Sequence, residues 1–285
     1  MPWFMTSIEK GAFEVINPYN NTVSRVAARP EQVHSIVFWS KNFGPFIESG
    51  YGFKLQQMGY GLFFNFTINS TQEALEPNLP PLELRLEQLA ELSRSFGPDC
   101  INWRFDPICF FETAAGRMDD NLSQFSKIAA GAANAGVKSC TTSVVDHYRK
   151  VVRRFRDRSG LRLVDPPLHR KIATITRMAC DLDAMGLTLQ LCCETTLLNA
   201  MPADSPVRAS ACISAARLAN LYGPDISMAR DNGQRTAAGC RCTVSRDIGS
   251  YRLHPCHHNC LFCYANPTMD RPTPTEAAPR ENNSA

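Results

Sequence analysis

Three cysteines near the end of the 285-residue chain, Cys256, Cys260 and Cys263, follow the spacing Cys-x3-Cys-x2-Cys. Thiolates are soft ligands, and three on one tight loop can hold three irons of a [4Fe–4S] cube. The fourth iron then lacks a protein ligand. That open position is what a catalytic centre needs, whereas a fully ligated cluster carries only electrons or structure. Cys240 and Cys242 lie just upstream in the same stretch, CRCTVSRDIGSYRLHPCHHNCLFCYAN. With Cys193 and Cys212 they make a second set of thiols. These are expected either to close a second site, an auxiliary [4Fe–4S] cluster or a tetrahedral zinc, or simply to be buried. Cys192 is set aside, because adjacent side chains on a strand face opposite ways. Cys100, Cys109, Cys140 and Cys180 sit among apolar residues and read as core fillers. His254, His257 and His258 could extend a zinc set. The spacing lacks paired zinc-knuckle regularity, however, and they are expected to face solvent.

The cysteines have a context. There are 12, none within residues 1–99 and five within 240–263. The start, MPWFMTSIEKG, shows no basic, apolar and small-residue succession of a signal peptide, and the longest apolar runs are strand-sized. A cytoplasmic protein without a membrane span is therefore expected, one whose thiols stay reduced and whose cysteine cluster reads as a metal site before a disulfide framework. A hydrophobic fraction of 44% with a net charge of +3 excludes a wholly disordered chain.

The elements that must position these groups follow from periodicity. Ser35–Trp39, Leu62–Ile68, Ile101–Phe105, Cys140–Val145 and Leu187–Cys192 are short, nearly continuous apolar or β-branched runs, as parallel strands buried on both faces should be. Between them, Leu82 to Phe96, Leu122 to Ala132 and Leu168 to Met185 repeat with helical spacing, between proline or aspartate starts and glycine stops. The alternation predicts an α/β fold with a parallel sheet, read as a partial β/α (TIM-like) barrel in preference to an open sheet. Residues 1–194 form the barrel body, 195–266 a cysteine-rich iron–sulfur cap with a short helix near Ser214–Tyr222, and 267–285 a disordered tail. In such folds chemistry gathers at the carboxyl ends of the strands. Lys41, Asn42, Arg104, Asp106 and Asp146 stand there and are the candidates to line a substrate cavity. Arg104 and Asp106 bracket Phe105, and are expected to form either a structural ion pair or ligand contacts. The basic stretch YRKVVRRFRDRSGLR, 148–162, could meet phosphate or nucleic acid. The preferred reading is a solvated helix face, with Val151, Val152 and Phe155 packing inward.

With aromatic Phe262 immediately before its third cysteine, the cluster resembles the signature of radical S-adenosylmethionine (SAM) enzymes. CLFCYAN is similar to the branch containing spore photoproduct lyase. The resemblance implies that SAM chelates the unique iron through its amino and carboxylate groups, that Phe262 packs beside it, and that an electron donor serves an unknown substrate. Residues 3–266 also resemble the domain-of-unknown-function 1848 family. The matching stretches include INPYN (16–20), SIVFWSKN (35–42), EPN (76–78), WRFDPI (103–108), SVVDHYRK (143–150), Cys193-Glu194, CIS (212–214), QR (234–235) and CRCTVSRDIGSY through CYAN. Family members usually begin with a further strand, which this chain lacks before Met1, and a misplaced start codon is the expected cause. Where the family has Cys-Pro-His-Gly-Cys this chain has CHHNC, with Asn259 replacing a glycine and tolerating positive φ better than most residues. The cysteine loop also follows the barrel, whereas ordinary radical SAM enzymes place it after the first strand, and no Gly-Gly-Glu-like motif for the SAM amine is recognisable. The rival expectation is a non-catalytic protein, whose zinc or fully ligated cluster locks the barrel, serves binding of nucleic acid or a partner, or transfers electrons.

Overall fold

A computed structural model describes residues 1–17, 20–250 and 253–265. The predicted disordered tail lies outside the described residues. In chain order the elements are helix α1 (Pro2–Lys10), the hairpin β1 (Ala12–Ile16) and β2 (Val23–Ala27), β3 (Ser35–Ser40), α2 (Gly44–Glu48), α3 (Tyr51–Gln57), β4 (Gly61–Thr67) and α4 (Leu82–Phe96). Next come β5 (Ile101–Ile108), β6 (Phe110–Glu112), β7 (Met118–Asp120), α5 (Phe125–Asn134), β8 (Ser139–Val144), α6 (Arg149–Arg154) and β9 (Arg162–Val164). The chain continues with α7 (Leu168–Asp183), β10 (Thr188–Leu191), α8 (Thr195–Asn199), β11 (Arg208–Ala209) and α9 (Ala215–Tyr222).

All five predicted strands form, and they are parallel neighbours in a six-stranded sheet ordered β11-β10-β8-β5-β4-β3. The sixth strand is Arg208–Ala209, two residues that carry no periodic signal. Among the described residues the sheet is open, with β3 and β11 at its edges, and no closed barrel is formed. Its spatial order follows chain order without reversal, unlike a doubly wound sheet. A separate three-stranded antiparallel sheet, β7-β6-β9, hangs off the end of β5.

The two faces of the parallel sheet differ in chemistry. Alternation puts Phe64, Phe66, Trp103 and Phe105 on one face, all fully buried. Leu89 and Leu92 of α4, Ile128 of α5 and Ile175, Met178 and Leu182 of α7 cover that face in one continuous core. Each such side chain contributes about 1.5–3 kcal/mol by leaving water. The opposite face carries Asn65, Asn102, Thr141 and Ser210, also buried. There Asn102 Nδ2 donates to Asn65 Oδ1 at 2.7 Å, Thr141 Oγ1 to Asn102 Oδ1 at 3.0 Å, and Thr141 meets Ser210 Oγ at 3.1 Å. Burial on both faces was expected, but a polar second face was not. The polar face is tolerated because its groups satisfy one another.

The segment after Glu194 covers this face. Asn65 Nδ2 donates to the Cys212 carbonyl at 3.0 Å. Helix α9, the predicted short helix, starts at Ser214, whose hydroxyl caps it by accepting from Arg217 N. Its Tyr222 ring lies so close to Gly61 that a Cβ there would approach it to 2.6 Å. Among the described residues no helix is long and apolar enough to cross a membrane.

Candidate metal centre

Both groups of thiols stand at the carboxyl edge of the parallel sheet. Cys260, Leu261 and Phe262 are buried in a small core with Leu75, Cys109, Phe111, Val145, Val151 and Phe155. These residues come from the loops after β4, β5 and β8, from β6, and from α6 and the turn that follows it. The EPN stretch is the clamp. Leu261 N donates to the Leu75 carbonyl at 2.9 Å, Asn78 Nδ2 to the His257 carbonyl at 2.8 Å, and His258 Nδ1 meets the Asn78 carbonyl at 3.2 Å. Asn259 adopts φ 54°, so the residue in glycine's place occupies the left-handed region. His254 stacks on Trp3 of α1 with ring centroids 3.7 Å apart. His254 and His258 are thus half-buried, which corrects the expectation that all three histidines face solvent; only His257 is exposed.

Lys41, at the end of β3, places Nζ 2.6 Å from Glu76 Oε1, with side chains 16% and 3% exposed. The approach is poorly angled, and Lys41 Nζ has no hydrogen-bond partner among the described residues. Burial alone would lower the Lys41 pKa, but Glu76, Cys260 and Asp106 more than offset this and raise it. The Lys41 ammonium lies 5.1 Å from the centre of the Phe262 ring, and Cys260 Sγ is 3.6 Å from Glu76 Oε1. Burial pushes the Cys260 thiol up, with Lys41 opposing and Glu76, Cys263 and Cys256 reinforcing the rise. Such a thiol stays protonated near neutral pH until a metal displaces its proton.

The basic stretch presents the expected solvated face through Arg149, Arg153 and Arg156, which are exposed, but two of its residues depart from that reading. Val151 and Phe155 pack inward as predicted, but Val152 is 40% exposed and Arg154 is buried. Arg154 Nη1 donates to the Cys263 carbonyl, so this arginine ties the helix to the cysteine loop.

Of the other candidates, Arg104 forms the ion pair, with Nη2 2.5 Å from Asp106 Oδ2. Asp106 Oδ1 accepts from Ser143 Oγ at 2.6 Å, and Asp106 N donates to Asn69 Oδ1 at 2.9 Å. Asn42 braces a turn, its Oδ1 accepting from Gly44 N at 3.0 Å and Gln88 Nε2 at 2.9 Å. Asp146 pairs with Arg235 at the half-exposed rim.

The second group gathers where β10 and β11 end. Cys192, Cys212, Cys240 and Cys242 are buried together, with Cys193 and Ile213 against them. Cys192 Sγ lies 3.4 Å from Cys212 Sγ and 3.8 Å from Cys193 Sγ. Setting Cys192 aside was therefore a misreading. Cys193 has φ 58°, so the strand has ended and alternation no longer separates the two side chains. Arg104 Nη1 donates to Cys212 Sγ, and Ile213 N to Cys242 Sγ at 3.4 Å. Hydrogen bonds from Cys192 and Cys242, with Arg104 close by, hold the Cys212 thiol well below its ordinary range. The same bond to Cys212 helps push Cys242 up.

Sequence reasoning passed over Glu76, Arg154 and Cys192 as site residues. Glu76 was within reach, since it stands in a family-matching stretch. Among the described residues no two cysteines are joined in a disulfide. Nor are any three His, Cys, Asp or Glu side chains there disposed, as placed, to hold a metal ion. Both donor sets nevertheless have the chemistry for one: several thiols of the soft-ligand class, drawn together at one edge of the sheet. No curated protein matches the chain. Its sequence does fit one family profile from residue 1 to residue 265, and the chain belongs to the family described as Domain of unknown function (DUF1848).

Proposed function

We propose that the chain is a radical-SAM-like iron–sulfur enzyme, with Cys256, Cys260 and Cys263 as ligands of an open [4Fe–4S] cluster. When bound, that cluster with SAM supplies a 5′-deoxyadenosyl radical. The observation that carries the reading is the Lys41–Glu76 pair buried beside Cys260 and Phe262. A Gly-Gly-Glu-like motif is missing from the sequence, yet the fold sets a carboxylate and an ammonium next to the cysteine loop. The amino-acid end of SAM carries the matching charges: Glu76 suits its ammonium and Lys41, with donors to spare, its carboxylate. Phe262 supplies an apolar wall, and Arg154 and Asn78 fix the loop. The unreversed strand order and the buried polar face support a partial-barrel reading, with the polar strand ends around Asp106 and Asp146 turned to the substrate side. An electron donor is required; a nucleic-acid substrate is not favoured, because Arg154 is spent on the loop.

The test is anaerobic reconstitution, then iron and sulfide analysis, then SAM and reductant with an assay for 5′-deoxyadenosine. Cleavage by the cluster-loaded protein, lost in Cys260→Ala, is the expected result. A fully loaded protein that leaves SAM intact refutes the enzyme. That outcome would favour the second reading, a metal-capped non-catalytic fold, which the burial of Leu261 and Phe262 in their own small core also supports.

A further inference from the structure

We infer that the thiols at the ends of β10 and β11 form a second, independent metal site that takes a single tetrahedral thiophilic divalent ion of the zinc class. Its ligands are Cys192, Cys212, Cys240 and Cys242, and Cys193 is the fifth, half-buried thiol beside them.

Spacing argues for one ion. A tetrahedral centre with metal–sulfur bonds of about 2.3 Å separates its sulfurs by about 3.8 Å. The Sγ atoms of Cys192 and Cys212 are already 3.4 Å apart. A four-iron cube interposes its own irons and sulfides and keeps cysteine sulfurs much farther apart. The end of the β10 ladder argues for Cys192, because Cys193, at φ 58°, has already left the strand. Cys192 N still donates to the Thr142 carbonyl at 2.9 Å, continuing the β10 ladder by one residue. Its side chain therefore falls on the same face as Gln190, the polar face on which Cys212 sits. The four named thiols are all less than 9% exposed, whereas Cys193 is only partly buried.

The surroundings are those of a thiolate site. Ligation releases the thiol protons to solvent and leaves a net negative centre. Arg104 donates to Cys212 Sγ, and the Ile213 backbone donates to Cys242 Sγ, the kind of outer hydrogen bonds that orient metal ligands. Arg104 thus acts as a positioning residue for this centre, held in turn by Asp106. The buried polar ladder through Asn65 fixes the Cys212 backbone. The site's location couples it to the fold: it joins β10 and β11 to the 240–242 segment.

The experiment uses the full chain with Cys256→Ala, Cys260→Ala and Cys263→Ala, which removes the open cluster and leaves this site alone. Grown with zinc and dialysed, it is expected to keep equimolar zinc without acid-labile sulfide. Cobalt(II) exchanged into it should show the intense visible bands of tetrahedral thiolate coordination. Adding Cys192→Ser or Cys212→Ser should cut retained metal at least about tenfold, while Cys193→Ser leaves it unchanged. Should a serine variant not fold, alkylation mapping of the wild-type protein before and after chelation decides the ligand set, with the four named cysteines protected only before. Iron with sulfide in place of zinc, absence of bound metal, a Cys192–Cys212 disulfide, or protection of Cys193 in place of Cys192 each overturns the proposal.

Discussion

Replacing Lys41 with methionine separates the structural from the chemical role of the buried pair. Lys41 Nζ and Glu76 Oε1 are 2.6 Å apart. At an effective dielectric constant near 20 their attraction is about 6 kcal/mol, most of which offsets the cost of withdrawing both charges from water. Lys41→Met deletes the attraction and leaves Glu76, only 3% exposed, as an uncompensated charge. The expected loss is about 3–5 kcal/mol, large against a total stability of about 5–15 kcal/mol. The thermal midpoint of the metal-free protein should fall by about 10 °C. Lys41→Met/Glu76→Leu, which removes both charges, should recover to within about 1 kcal/mol of the parent. Calorimetry or urea titration of the parent, Lys41→Met, Glu76→Leu and the double variant completes the cycle. A single variant no less stable than the double variant refutes the buried-pair reading. The double variant then becomes informative about function: it should fold and load iron, yet lose SAM-dependent 5′-deoxyadenosine formation.

Other perturbations test other parts of the structure. Trp103→Ala removes a fully buried side chain whose Nε1 donates to the Ile68 carbonyl at 3.1 Å; it should cost about 3–5 kcal/mol by denaturant titration. Gly61→Ala drives a methyl group into the Tyr222 ring, and a loss of about 1–3 kcal/mol should come with faster alkylation of Cys212 as α9 lifts. Arg154→Met removes the donor to the Cys263 carbonyl and should speed iron loss to a chelator several-fold in the reconstituted protein, with the parallel sheet intact by circular dichroism. Asn259→Gly should be neutral within about 0.5 kcal/mol, whereas Asn259→Val should cost about 1–2 kcal/mol at φ 54°, both read from thermal midpoints.

What local order can encode was legible in the sequence. Strands such as Leu62–Ile68 and helices such as Leu82–Phe96 announce themselves because hydrophobic period and chain stops are local properties. The cysteine triad was visible for the same reason, since a ligand spacing is a short-range pattern. Tertiary structure decided everything that depends on distant segments meeting. Glu76 reaches Cys260 across a sequence separation of 184 residues, and Arg154 reaches Cys263 across 109. No periodicity could match a lone acid or arginine to a loop so far along the chain. Arg208–Ala209 became a strand only because β10 offered an open edge. Cys192 and Cys193 looked opposed while the strand was assumed to continue; a single positive φ, selected by packing rather than composition, brought both to Cys212.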